Sequence, residues 1–389
     1  MQSRLFASGF RPTFLAAGAV ATVLMPVWVM IWGFGWSLSS AWPATLWHAH
    51  EMLFGFVAAA IAGFLLTAVP SWTGQRGFAG LPLVLLVSLW LAARLLIATS
   101  AHWPAVVVAS ADVSFLLVLA GLIAPRLLRA RNRNTPLLLV IAALAACNAA
   151  SHWALSHRDA GAAYHAILVG IDITLLLVTV IGGRIVPAFT ENALRSGGAR
   201  AGLRAWPWMT PLAVISMVAV VLADLFVPDG LVSGVIASTA AAIQAVRMLQ
   251  WRSHATLRKP MVWVLHLGYA WLPVGLALKG LALLTGIAIS AFWLHALTIG
   301  VLATLIMAVM TRASLGHTGR ALVADPAIVL SYLLLLAAAL VRVFGLSVSK
   351  LPYSFVIVIS ACCWTAAFAL FLVVYAPILW SVRADGKPG

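Results

Sequence analysis

The sequence predicts an all-α, polytopic transmembrane helical bundle of about 12 TM helices with both termini cytoplasmic, and three observations carry that reading. Apolar residues fill 63% of the 389 positions and charged residues only 8%, against about 25% charged in a soluble domain. Apolar stretches of about 20 residues, the length that crosses a ~30 Å hydrocarbon layer, recur from Phe14 to the end of the chain. The basic residues behind the formal charge of +15 gather in alternate connections, the pattern of a positive-inside topology.

The predicted spans are, in order, 14–33, 48–70, 81–99, 105–123, 136–155, 164–187, 208–227, 231–250, 261–284, 291–310, 326–344 and 353–380. Arg4 and Arg11 precede the first, which lacks a small-residue cleavage site and so reads as an uncleaved span. Arg76 follows the second, and Arg126, Arg129, Arg131 and Arg133 follow the fourth. The glycine- and arginine-rich connection from Thr190 to Trp206, the longest, carries Arg195, Arg200 and Arg204 after the sixth. Arg252, Arg258 and Lys259 follow the eighth, Arg312 and Arg320 the tenth, and Arg383 and Lys387 the twelfth. The intervening connections hold chiefly Arg158 and Lys350, so every odd-numbered connection is expected to face outward. Short connections predict one integral membrane domain, 1–389; no sequence repeat halves it, although a structural duplication can escape sequence. The small side chains of 58–63 predict close helix packing. This distribution argues against nucleic acid as a partner. The three cysteines, Cys147, Cys362 and Cys363, fall inside spans without a Cys-x-x-Cys or Cys-x-x-Cys-His pattern, which excludes disulfide, zinc-ribbon and c-type cytochrome readings.

Ionisable groups inside a span are costly, so each is a functional candidate. His48, His50 and Glu51 open the second predicted span, His165 opens the sixth, and His295 lies a turn into the tenth. His152, Asp112, Asp172, Asp224, Arg94 and Lys279 also lie within or at the ends of spans, most in the outer half. Imidazole ligates haem iron and copper through a neutral nitrogen, so His48, His50, His295 and His165 are the expected haem or metal ligands. Residues two apart on a helix diverge by about 200°, so His48 and His50 must serve different partners. His165 and Asp172, seven apart, share a helix face. Glu51 and Asp172 are expected in proton transfer or in orienting a ligand, and Arg94 and Lys279 opposite haem propionates. Towards the inner face, His266 and the loop residue His317, flanked by Gly316, Gly319 and Arg320, form a second candidate site, with helix capping, phosphate binding and haem ligation all open. For His102 and His157 an interfacial anchor is the simpler reading, and for each of Asp112 and Arg94 a structural ion pair with some neighbour is as good a reading as a functional one.

The segments Trp47-His48-Ala49-His50-Glu51-Met52-Leu53-Phe54-Gly55-Phe56, Gly183-Arg184-Ile185-Val186-Pro187-Ala188-Phe189-Thr190-Glu191, His266-Leu267-Gly268-Tyr269-Ala270-Trp271, and His295-Ala296-Leu297 continuing to Arg312 and Gly316-His317-Thr318-Gly319-Arg320 resemble the NnrS family of bacterial membrane proteins. The resemblance extends over most of the chain. It implies a haem- and copper-containing, multi-pass protein of the bacterial inner membrane associated with nitric oxide metabolism and resistance, with one or more haem b groups. Its motif positions are His48, His50, Glu51, His266, His295 and His317.

The expected activity is an oxidoreductase one: reduction of nitric oxide at a haem–metal site, with protons reaching it through Glu51 and Asp172. Expected partners are nitric oxide, quinol or a separate electron-donor protein, the lipid bilayer and, in a homo-oligomer, further copies of the chain. Two alternatives stand beside it. One is a haem-based sensor or sequestering protein for nitric oxide without turnover; the other is a twelve-helix secondary transporter, disfavoured because transport substrates bind nearer the midplane.

Overall fold

A computed structural model of the chain describes residues 4–196, 203, 206–348 and 351–386. Arg200, Arg204, Lys350 and Lys387, used above for topology, lie outside them. Among the described residues, 12 helices are long and apolar enough to cross a membrane. They are α1 Phe10–Phe34, α2 Ala44–Thr73, α3 Leu81–Ala98, α4 Ala105–Arg129, α5 Leu137–Ser156, α6 Ala160–Arg195, α7 Met209–Phe226, α8 Leu231–Trp251, α9 Pro260–Thr285, α10 Ala288–His317, α11 Pro326–Val348 and α12 Tyr353–Trp380.

Each predicted span is a helix, and the differences lie at the ends, where apolarity gives no stop signal. Helix α2 starts at Ala44, a turn before the apolar run, so His48 and His50 sit within it instead of opening it. Helix α6 continues past Pro187 to Arg195, where a Glu191–Arg195 ion pair one turn apart supports its polar end. Helix α10 runs to His317, so this histidine ends a helix and is not a loop residue.

The chain divides into two compact units: unit 1 comprises Met1–Gly170, Met310–Leu322 and Phe368–Gly389, and unit 2 comprises Ile171–Val309 and Val323–Ala367. In unit 1, α1 packs on α2 through the predicted small-residue face: a Cβ on Gly63 would collide with Thr13 and Phe14. The buried Arg11 ties α1 to the end of α12, its Nη1 donating to the carbonyls of Leu379 (2.8 Å) and Ser381 (2.6 Å). Carbonyls at a helix C-terminus lack partners in the helix and carry its negative pole, so they accommodate a buried cation.

In unit 2 the Gly182-Gly183 pair flattens one face of α6, and Tyr269 and Arg247 lie against it. The Arg247 guanidinium, 1% exposed, donates to Thr179 O (2.9 Å) and to Tyr269 Oη (3.0 Å), and the Tyr269 hydroxyl donates onward to Gln244 Oε1 (2.7 Å).

Both units contain a helix with π-helical turns, and in both a histidine stands immediately before them. In α2 the π-helical turns are Glu51–Val57, following His50; in α10 they are Ala296–Ala303, following His295. Each carries a glycine five residues after the histidine, beneath an indole of the same unit. Gly55 O accepts a hydrogen bond from Trp90 Nε1 (3.0 Å), and Gly300 is covered by Trp271. Such wide turns recur at functional sites because they re-aim side chains and leave carbonyls outside the regular ladder.

The packing of α6 gives a direct test. Gly183→Ala puts a methyl where the Arg247 guanidinium lies, and should lower the thermal unfolding midpoint in detergent by an amount equivalent to about 1–3 kcal/mol. The same substitution at Gly121, where a Cβ meets nothing within 4 Å, should leave the midpoint unchanged or raise it slightly. Equal midpoints for the two variants would contradict the close approach.

Candidate metal centre

In unit 1, four helices aim polar side chains at one another from the ends that the alternating direction of successive membrane-crossing helices brings to a common side. They are the N-terminal parts of α2 and α4 and the C-terminal parts of α3 and α5. Helical spacing sets up each contribution. On α2, His50 and Phe54 share a face, as do Glu51 and Gly55; on α3, Trp90 and Arg94 are one turn apart; on α5, Asn148 and His152 are one turn apart.

At the centre are His50, Asp112 and His152, all buried, whose nearest ligand atoms lie within 4.8 Å of one another. Asp112 Oδ2 is 3.1 Å from Nε2 of both imidazoles. His50 Nε2 also faces Asn148 Oδ1 at 3.0 Å, and its Nδ1 faces Glu51 Oε1 at 3.3 Å. Arg94 joins the two carboxylates: Nη1 donates to Glu51 Oε1 at 2.7 Å, and Nη2 donates to Asp112 Oδ1. Gly55 makes room for this guanidinium, since a Cβ there would stand 3.1 Å from Arg94 Nη1 and 3.4 Å from Glu51 Oε2.

Aromatic side chains wall the centre. The Trp42 ring lies 4.5 Å from the His50 ring and 5.0 Å, edge-on, from that of His152; Phe54 lies 5.0 Å from His50. The segment bearing Trp42 is held to the end of α3 by Ala101 N donating to Ser39 O and Ala41 N donating to Ser100 Oγ, both at 2.9 Å. Water is thereby kept from Glu51 and Asp112, which are 2% and 1% exposed. Carboxylates so buried persist only when paired and hydrogen-bonded.

Two imidazoles and a carboxylate meeting in a dry pocket form a donor set for a transition-metal ion. Glu51 behind His50 Nδ1 is the usual outer partner that fixes a ligating ring. A haem does not fit this point, because Trp42 and Phe54 already cover the His50 ring and oxygens of Asp112 and Asn148 already face its outward nitrogen.

Other predicted residues lie elsewhere. His48 is half-buried and stacks on Trp28 of α1 at 4.5 Å, a different neighbour from those of His50. His165 is half-buried on α6 and outside the cluster. In unit 2, Lys279 pairs with Asp224 and lies 4.7 Å from the Trp293 ring, two residues before the half-buried His295; the buried Asp172 adds its field at Lys279. Arg94 and Lys279 therefore both sit against carboxylates of the chain. His266 has both ring nitrogens engaged by hydroxyls, Nε2 with Thr190 Oγ1 at 2.7 Å and Nδ1 with Ser253 Oγ at 2.9 Å. His317, in unit 1, lies 5.6 Å from the Phe10 ring, and its carbonyl accepts from Arg383. Asp112, Asn148 and His152 were absent from the expected ligand set. The one-turn spacing of Asn148 and His152 was the available signal, but nothing in the sequence pairs that face with Asp112 or His50.

A protein-family model described as NnrS protein matches residues 4–383. Among curated proteins no match is found.

The ion-pair network sets the direction of two substitutions. Arg94→Met strands two buried carboxylates and should cost about 3–5 kcal/mol in thermal stability, whereas Asp112→Asn introduced alongside it should recover part of that loss. Strictly additive destabilisation in the double variant would show that the two side chains are not coupled.

Proposed function

Because the chain belongs to the NnrS family, we propose that it is a multi-pass membrane protein of nitric oxide metabolism whose metal centre is the His50–Asp112–His152 cluster. The observation that carries this reading is the convergence of two imidazoles and a carboxylate, all buried, with a second carboxylate behind one imidazole. The site of action is the bacterial inner membrane with both termini cytoplasmic, which puts the cluster at the outer side.

A bound transition-metal ion supplies an electrophilic, redox-active centre that a small ligand such as nitric oxide can meet. The chain's own residues prepare that centre. Glu51 orients the His50 ring, Arg94 bridges the two carboxylates and keeps Asp112 Oδ2 turned to the imidazoles, and Trp42 and Phe54 exclude bulk water. Nitric oxide is small and apolar, so it can enter from the lipid without a polar channel.

In the enzymatic form of the reading, reduction of two nitric oxide molecules to nitrous oxide and water consumes two protons and two electrons. Glu51 and Asp172 remain the proposed proton carriers, and quinol or a separate protein supplies the electrons. Haem b, expected from the family, would take its ligands from histidines outside the cluster: His48 and His165 are the candidates in unit 1 and, separately, His295 in unit 2. A haem sensor or sequestering protein would use the same residues without turnover.

The test is metal analysis and absorption spectroscopy of the purified protein, oxidised and reduced, with and without nitric oxide. His50→Ala and His152→Ala should each lose bound metal, while His165→Ala should keep it. Retention of full metal content by both cluster variants would sink the assignment. A Soret band that shifts with nitric oxide supports haem, and nitric oxide consumption with an artificial reductant separates enzyme from sensor.

A further inference from the structure

We propose that Asn148 is the fourth ligand of this centre, through Oδ1, and that the four donors form a tetragonal two-nitrogen, two-oxygen site suited to a divalent ion such as copper(II). The inference rests on the cluster being a metal centre and adds to it a ligand and a coordination geometry.

The distances favour this arrangement. Two donors bound at about 2.0–2.1 Å to one ion stand about 2.9 Å apart at a right angle and about 3.3 Å apart at the tetrahedral angle. Asn148 Oδ1 is 3.0 Å from the nitrogen of His50, closer to the right-angled case, and Asp112 Oδ2 is 3.1 Å from both imidazole nitrogens, midway between the two. Asp112 then neighbours both imidazoles and Asn148 neighbours His50, so going round the ion the order is His50, Asp112, His152, Asn148. The helix supports the same order, because Asn148 and His152 leave one face of α5 a turn apart. Tetragonal nitrogen and oxygen coordination is the preference of copper(II) and nickel(II).

Hydrogen bonding alone leaves Asn148 poorly explained. Its side-chain amide Nδ2 is buried and has no hydrogen-bond partner, so the side chain is oriented by its oxygen. That oxygen and the Asp112 oxygen both converge on one ring nitrogen of His50, which carries at most one proton. A cation among these atoms accepts one lone pair from each of them at once. The charge has the sign that attracts a cation: Glu51 and Asp112 against Arg94 leave one net negative charge when the imidazoles are neutral, in a buried site. Glu51 is left outside the ligand set, since its Oε1 is held by Arg94 and faces the other ring nitrogen.

The experiment titrates copper(II) alone into the metal-stripped, full-length protein in detergent, followed by binding isotherms and electron paramagnetic resonance in H2O and D2O. The wild type should show coupling to two imidazole nitrogens and no strong coupling to solvent deuterons. Asn148→Leu should keep the two-nitrogen pattern, gain solvent-deuteron coupling as water takes the vacated position, and bind at least about tenfold more weakly. Asn148→Asp, which retains the oxygen and guards against a misfolded leucine variant, should bind at least as tightly as wild type without solvent coupling. An Asn148→Leu protein with wild-type affinity and spectrum overturns the inference while leaving the three-residue centre intact; so does an Asn148→Asp protein that binds as poorly as His50→Ala. A wild type with no two-nitrogen signal, or one insensitive to His152→Ala, overturns the metal centre itself and Asn148 with it.

Discussion

A carboxylate carried from water into a hydrocarbon-like interior is unfavourable by several kcal/mol even after relaxation, and unit 1 carries two of them side by side. Glu51 and Asp112 are stable there because one guanidinium, Arg94, lies between them and donates to both. Much of the surrounding architecture serves that contact. Gly55 leaves the space that Arg94 occupies, the wide turns of α2 carry Gly55 and Glu51 to that place, and Trp90, one turn before Arg94, anchors α3 to the Gly55 carbonyl. With Oδ1 of Asp112 held by Arg94, Oδ2 is left for the imidazoles. The ion pair therefore aims the carboxylate as well as neutralising it.

Unit 2 repeats parts of this plan with other residues. A histidine again precedes π-helical turns, a glycine five residues on again lies under an indole, and a buried cation again pairs with a carboxylate from another helix of the unit, here Lys279 with Asp224. The second imidazole is what differs. Among the described residues, the grouping of three metal-capable side chains occurs only in unit 1, because α5 alone supplies a histidine to a carboxylate already within reach of another. The two halves share a backbone device without close sequence similarity, so the sequence shows no repeat.

The helices were legible because hydropathy is a one-dimensional property. Twelve apolar runs gave twelve helices, and the errors were confined to ends such as Ala44 and Arg195, where hydrogen-bonded helix continues into polar sequence. The 200° divergence of His48 and His50 was legible for the same reason: it follows from helical pitch, and the two rings do lie against different neighbours, Trp28 and the α4–α5 pair. Arg94 and Asp112 could be recognised as costly groups, but not as partners. For His266 and His317 the sequence left helix capping, phosphate binding and haem ligation open, and in the structure the hydroxyls of Thr190 and Ser253 take both nitrogens of His266.

By itself, then, the sequence determined the number and order of the membrane-crossing helices, the ionisable residues buried within them and the family to which the chain belongs. Hydrophobic length and local periodicity are properties of contiguous residues, and they survive without knowledge of neighbours. Only the tertiary structure decided that His152, Asp112 and Asn148 join His50, while Lys279 turns to Asp224 and His266 to hydroxyls. Those choices depend on which helix faces meet and at what height. Side-chain packing between distant parts of the chain sets both, and the cost of burying an unpaired charge selects the partners.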